Sequence, residues 1–207
     1  MELFDIHTHN KECDSQSSIL NSNVYITGRR ISIGIHPWDI SSDWREQFAK
    51  IRANACKENV CAIGECGLDK LKSPASEKLQ QEVFRAHAML AEEVKKPLII
   101  HCVKGFDTII AQHKEIFPEQ AWIIHGFRGK PQQTEQLIKN GFYISFGDKF
   151  NIESIKATPL ERLFIESDES KNSIDKIYDE IAKAKGCSIA ELCTAIMHNS
   201  EKCNIRL

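Results

Sequence analysis

Asp5, His7 and His9 alternate along the first apolar segment of the chain. In a β-strand, residues two apart point to the same face, so these side chains would form one polar row while Phe4 and Ile6 point the other way. Two neighbouring imidazoles supply half of a divalent-metal site, because neutral histidine is a common metal ligand. Histidines that only hydrogen-bond at a strand end are the structural alternative, since His-x-His also occurs by chance.

Further residues with metal-binding side chains follow other apolar segments. They are His36, Glu65, His101, His125 and Asp168. The carboxyl ends of the strands in a parallel α/β barrel lie on one face, where active sites are built, so we expect these side chains to converge. An open doubly wound sheet gathers ligands only at its switch point. Ligand-type residues after at least five strands therefore favour a closed barrel.

Short apolar segments alternate with longer amphipathic ones, which is typical of a mostly parallel sheet with covering helices. The predicted strands are 3–6, 31–35, 60–63, 98–100, 122–124, 142–145 and 163–165, with 24–27 as a weaker candidate. The predicted helices are 44–57, 77–95, 106–116, 132–140, 152–157, 174–185 and 189–204. We predict an α/β fold of the TIM type, in a single domain over residues 1–207.

The composition is that of an ordinary globular protein, with 42% hydrophobic and 27% charged residues and a formal net charge of −2. Nucleic-acid binding would need a local basic patch or a metal, because there is no overall basic field. No apolar segment approaches the roughly 20 residues of a membrane span, and none resembles a signal peptide. We expect a cytoplasmic monomer with no membrane or protein partner, and its eight cysteines, which form no Cys-x-x-Cys pair, to be reduced thiols.

An ordered series of motifs runs through nearly the whole chain. The motifs are Asp5-Ile-His-Thr-His9, Gly34-Ile-His-Pro37, Gly64-Glu-Cys-Gly-Leu-Asp69, Ile100-His-Cys102, Ile124-His-Gly-Phe127, Gly141-Phe-Tyr-Ile-Ser145 and Leu163-Phe-Ile-Glu-Ser-Asp168. Each motif is weak alone, but together they resemble the TatD family of metal-dependent hydrolases, which belongs to the amidohydrolase-like TIM barrels. The resemblance implies two divalent ions, of Mg²⁺, Mn²⁺ or Zn²⁺, whose identity the motifs do not determine. Its implied ligands are His7, His9, Glu65 and Asp168 for one ion, with Glu65 bridging to His101 and His125 at the second.

The resemblance also implies a reaction. Members of the family are deoxyribonucleases, so DNA is the expected substrate and 3′–5′ exonuclease cleavage of its phosphodiester bonds the expected activity. Glu65 and Asp168 would be the catalytic residues, with Asp168 taking the proton from the attacking water. His36, Lys104 and Arg128 are candidate substrate contacts.

The chain departs from the family pattern in three places. Only 26 residues lie between His9 and His36, about half the usual number, so the first part of the barrel is predicted to be abbreviated. A hairpin of 24–27 with 31–35 would fill this gap and make the barrel irregular. Lys104 stands where the family often has an arginine, and the sequence after Asp168 lacks the usual proline.

Two alternatives to a deoxyribonuclease stay open. The same metal ligands would suit a hydrolase of a small phosphoester, amide or lactone, and the net charge of −2 is compatible with that substrate class. Activity on bis(p-nitrophenyl) phosphate without activity on DNA would favour it. The other alternative is a metal-binding protein with little turnover, although binding alone does not require an open binuclear site with a base.

Overall fold

The computed structural model describes residues 3–205. Eight strands form one sheet in sequence order, and every neighbouring pair is parallel. The strands are β1 (Asp5–Thr8), β2 (Ser18–Ser22), β3 (Ile31–Ile33), β4 (Val60–Asp69), β5 (Leu98–Val103), β6 (Trp122–Ile124), β7 (Tyr143–Phe146) and β8 (Leu163–Ile165). The helices are α1 (Trp44–Asn54), α2 (Glu77–Val94), α3 (Phe106–Ile116), α4 (Pro131–Lys139), α5 (Ile152–Ala157), α6 (Ile174–Lys185) and α7 (Ile189–Lys202). All seven predicted helices are present, and the TIM-type fold is confirmed.

The first and last strands meet just beyond their carboxyl ends. The Asp168 N–H donates to the His7 carbonyl at 3.0 Å, and the His9 N–H donates to the Asp168 carbonyl at 3.0 Å. The buried carboxylate of Asp5 adds a side-chain link, because it accepts from the Ser167 N–H at 3.0 Å and from the Ser167 hydroxyl at 2.6 Å. These bonds close the barrel next to the two histidines of β1.

The expected hairpin between residues 24–27 and 31–35 is wrong. Residues 24–27 lie in a loop, and β2 lies earlier, at Ser18–Ser22, parallel to both β1 and β3. Val24, a β-favouring residue that suggested a strand, is 61% exposed. The true strand was hard to recognise because only two of its five residues are apolar. The barrel therefore keeps eight strands and is shortened in its connections instead.

The connections on either side of β2 contain no helix. Loops of residues 9–17 and 23–30, all within the described part of the chain, join β1 to β2 and β2 to β3. A parallel crossover commonly takes a dozen or more residues and includes a helix. Both connections are shorter than this, which accounts for the missing residues between His9 and His36.

Candidate metal centre

The first half of the centre surrounds one oxygen of Glu65. His7 Nε2 lies 3.4 Å and His9 Nε2 lies 3.3 Å from Glu65 Oε2. Asp168 Oδ1 lies 3.9 Å from His7 Nε2 and 3.7 Å from His9 Nε2. These atoms come from β1 and the residue directly after it, from β4 and from the segment after β8, so closure of the barrel brings them together. Two imidazoles and two carboxylates form a donor set suited to one divalent ion.

The second half surrounds the other oxygen of the same carboxylate. His101 Nδ1 lies 2.9 Å and His125 Nε2 lies 2.7 Å from Glu65 Oε1. The two imidazole nitrogens are 3.4 Å apart. Each oxygen of Glu65 thus faces its own pair of predicted histidine ligands, an arrangement suited to a carboxylate that bridges two ions. All six ligands predicted from the sequence meet in this cluster.

Outer carboxylates orient the two histidines of the second half. Asp69 Oδ2 lies 3.3 Å from His101 Nε2, and Glu166 Oε1 lies 3.3 Å from His125 Nδ1. If these ring nitrogens carry the protons, the opposite nitrogens direct their lone pairs at the Glu65 side of the centre. Histidine ligands of metals commonly have such a partner, which fixes both tautomer and ring orientation.

Asp69 is itself firmly held. Its Oδ2 accepts from the Trp38 indole N–H at 2.7 Å, and its Oδ1 accepts from the N–H groups of Leu71 and Lys72, each at 2.9 Å. Asp69 is 1% exposed, so its position is fixed on all sides. His101 is therefore oriented by a carboxylate that has little freedom to move.

His36 lies beside the centre with different hydrogen bonding. Its Nδ1 accepts from the Trp38 N–H at 3.1 Å, so a neutral ring carries its proton on Nε2. That Nε2 lies 3.2 Å from Glu65 Oε1 and 3.3 Å from His101 Nδ1. A protonated nitrogen donates a hydrogen bond and cannot bind a metal. This favours a hydrogen-bonding role for His36, and its place among the substrate contacts stays a prediction.

The donor set of the first half fits a divalent cation. His7 is completely buried, yet neither of its ring nitrogens has a hydrogen-bond partner. Buried polar atoms of this kind are rare and call for a ligand. Two ligand atoms at about 2.05 Å from one tetrahedral ion lie roughly 3.3 Å apart. The separations of 3.3–3.4 Å from His7 and His9 to Glu65 match that spacing.

The electrostatics of the cluster also attract cations. Burial disfavours the charged form of Glu65, but His125, His101 and His36 hold the pKa of its carboxyl well below the usual range. Burial opposes charge on His125 too, yet Glu65 and Glu166 raise its pKa well above the ordinary value. The buried carboxylates thus stay ionised, and they stabilise positive charge placed among the imidazoles.

Two glycines bring the Glu65 strand close to its neighbour. Gly64 and Gly67 have φ values of 129° and 147°, which L-residues rarely adopt. A Cβ on Gly64 would overlap the carbonyl oxygen of Ile99, and one on Gly67 would overlap that of His101. The close approach of β4 to β5 places Glu65 beside His101.

The centre opens into a cavity of about 1000 Å³. The cavity is also lined by Lys104 and Arg128, the other two predicted substrate contacts, and both are exposed. Its lining contains six lysine and arginine residues in all, the others being Lys11, Lys72, Lys130 and Lys149. Outside the centre and its outer carboxylate Asp69, the acidic lining residues are Asp39 and Glu169. The mouth is therefore locally positive in a chain whose formal net charge is −2.

Two residues of the site escaped prediction. Asp69 had a usable signal, because Glu65, Gly67 and Asp69 alternate along one strand and so share a face. Asn21, whose side chain contacts Glu65, had no such signal, because β2 was not recognised.

Within residues 3–205, the helices are all too short or too polar to cross a bilayer.

Comparison with known proteins identifies relatives of this chain. The family model described as TatD related DNase matches residues 6–204. A protein from Buchnera aphidicola subsp. Baizongia pistaciae, named an uncharacterized metal-dependent hydrolase, is 34% identical over 155 residues, which are 70% of this chain and 58% of the relative. A protein from Citrobacter rodentium, named 3′-5′ ssDNA/RNA exonuclease TatD, is 30% identical over 145 residues, covering 65% of this chain and 55% of the relative.

The fold has a close counterpart among solved structures. The crystal structure of YJJV, a TatD homologue from Escherichia coli K12, matches with a TM-score of 0.79 at 18% identity and covers 97% of both chains. At that identity the likeness concerns the fold alone. The family model, in contrast, matches almost the entire sequence. The chain belongs to the TatD family of metal-dependent hydrolases.

Proposed function

We propose that this protein is a deoxyribonuclease that hydrolyses phosphodiester bonds at a binuclear divalent-metal centre. The observation that carries the proposal is the position of Glu65, whose oxygens each face a separate pair of histidines. A bound pair of ions would lower the pKa of water and stabilise the charge that develops on the attacking and leaving oxygens. The relative from Citrobacter rodentium named as an exonuclease on single-stranded DNA and RNA supports this substrate class.

The residues around the centre would have separate roles in the reaction. His7, His9, Glu65 and Asp168 would hold one ion, while Glu65, His101 and His125 would hold the other. Asp168 is 24% exposed at its side chain, so its carboxylate can reach the cavity and accept the proton of the attacking water. The Nε2–H of His36, which lies 3.2 Å from Glu65 Oε1, would turn from that oxygen to donate to a phosphate oxygen.

The mouth of the cavity supports a polyanionic substrate. Six cationic side chains against three carboxylates outside the centre, Asp39, Asp69 and Glu169, would attract the phosphates that flank the scissile bond. Because the formal net charge of the chain is −2, this attraction is confined to the mouth of the cavity. We propose single-stranded ends as the substrate and 3′–5′ exonuclease action, with Arg128 and Lys104 as phosphate contacts.

The test is cleavage of end-labelled single-stranded DNA by metal-stripped protein, with Mg²⁺, Mn²⁺ or Zn²⁺ added back. We expect metal-dependent release of mononucleotides that falls at least about 100-fold in Asp168→Asn, because a base is lost. Asp175→Asn, an exposed aspartate in the first turn of α6, is the matched control and should keep wild-type activity.

Two other outcomes would contradict the proposal. Hydrolysis of bis(p-nitrophenyl) phosphate without cleavage of DNA would assign the centre to a small ester. Tight binding of two ions without hydrolysis of either substrate would favour a metal-binding role.

A further inference from the structure

The side-chain amide of Asn21 holds Glu65 at two points. Asn21 Oδ1 accepts from the Glu65 N–H at 2.8 Å, and Asn21 Nδ2 donates to Glu65 Oε2 at 3.3 Å. One amide therefore fixes both the main chain and the carboxylate of the residue that faces all four histidine ligands. Asn21 comes from β2, and Glu65 comes from β4, two strands away.

A neighbouring hydroxyl fixes which way the amide points. Ser32 is the register partner of Asn21 on β3, so both side chains lie on the same face of the sheet. The Ser32 hydroxyl donates to Asn21 Oδ1 at 3.2 Å. With two donors on the oxygen side, the orientation of the amide is determined, because a flipped amide would place its NH₂ group against the Glu65 N–H.

We propose that Asn21 is a positioning residue that holds the Glu65 carboxylate in its bridging orientation. Its Nδ2 donates to Oε2, the oxygen that faces His7 and His9, and so leaves Oε1 to His101 and His125. Without that hydrogen bond the carboxylate is free to turn both oxygens toward one half of the centre. This inference rests on the binuclear centre of the proposed function.

The test measures the metal pair directly, by electron paramagnetic resonance of metal-stripped protein titrated with Mn²⁺ alone. In the wild-type protein we expect two ions per chain and the spin-coupled signal of a bridged pair. In Asn21→Ala we expect the affinity for one of the ions to fall about 10- to 100-fold, as is usual on loss of a residue behind a metal ligand. The coupled signal should decrease in favour of isolated Mn²⁺.

A second variant separates positioning from folding. Asn21→Asp keeps an oxygen that accepts from the Glu65 N–H and from Ser32, but it directs a second oxygen, instead of the NH₂ group, at Glu65. We expect it to fold like the wild-type protein and still to lose spin coupling. Asn23→Ala is the control, because it removes the same type of side chain from an exposed position two residues further on. This variant should retain the coupled signal.

The outcomes are distinct for the two proposals. Weakened coupling in both Asn21 variants supports the positioning role even if the wild-type protein cleaves no DNA, in which case only the deoxyribonuclease proposal fails. Unchanged affinity and coupling in both variants would overturn the role of Asn21. A wild-type protein that binds a single isolated Mn²⁺ would overturn it together with the binuclear centre.

Discussion

The imidazole of His87 should make the stability of this protein depend on pH. His87 is completely buried on α2, where its Nδ1 donates to the Val83 carbonyl at 2.8 Å and its Nε2 accepts from the Ile35 N–H at 3.0 Å. A protonated ring has donors at both nitrogens, so it could no longer accept from Ile35. Burial accordingly lowers the pKa of His87 from 6.5 to about 4.

The size and sign of the effect follow from that difference. Because the folded-state pKa lies below the unfolded value, the stabilising contribution is present above pH 6.5 and is lost as the pH falls toward 4. The complete loss amounts to about 3 kcal/mol, of which roughly 2 kcal/mol falls between pH 7 and pH 4.5. The lost hydrogen bond would also release Ile35, the residue before His36.

The assay is urea unfolding of metal-stripped wild-type protein and His87→Gln between pH 7 and pH 4.5. Glutamine offers both an acceptor and a donor but does not titrate in this range, and the remaining histidines are common to both proteins. The free energy of unfolding of the wild-type protein, relative to that of the variant, should fall by roughly 2 kcal/mol over this interval. His198→Gln, at an exposed position on α7, is the control. A wild-type-to-variant difference that stays constant across the interval would refute the argument.

Two further predictions concern single lysines and the mouth of the cavity. Lys185 Nζ donates to three carbonyl oxygens at the end of α5, so Lys185→Met should lower the free energy of unfolding by about 1.5–3 kcal/mol. Lys183→Met, which removes an exposed ion pair, should lower it much less. Equal losses in urea unfolding would contradict the capping role. DNA binding, measured by fluorescence anisotropy, should weaken as NaCl rises from about 50 to 200 mM. Arg128→Ala should reduce the slope of log affinity against log salt concentration by about 0.7. An unchanged slope would remove Arg128 from the phosphate contacts.

Much of the fold was predictable because each strand and helix carries its own local signal. Apolar segments such as Leu98–Ile100 indicate buried strands by their continuous hydrophobicity, and amphipathic ones such as Glu77–Val94 indicate helices by their periodicity. β2 carries no such signal, since only Ile19 and Leu20 of its five residues are apolar. Its pairing depends on β1 and β3, which are contacts that sequence periodicity does not encode.

The candidate centre likewise has features that the sequence predicts and features that it does not. The convergence of the six candidate ligands could be predicted because each follows an apolar segment, and closure of the barrel brings them together. The hydrogen bonds of Asn21 could not be predicted, because its partners Ser32 and Glu65 lie on other strands. Whether a histidine binds metal or donates a hydrogen bond is decided by the atom facing its other nitrogen, which only the structure shows.

The bonds that close the barrel have a consequence for how the protein is made. The same two hydrogen bonds join His7 and His9 to Asp168, so the barrel and the first half of the centre are completed together. About 160 residues separate these partners, and at about 5–20 residues per second their synthesis takes roughly 8 to 30 seconds. Throughout that time the histidines of β1 have emerged without the carboxylate that completes their half of the centre. A metal site that includes Asp168 can therefore be complete only after the last strand has been synthesised.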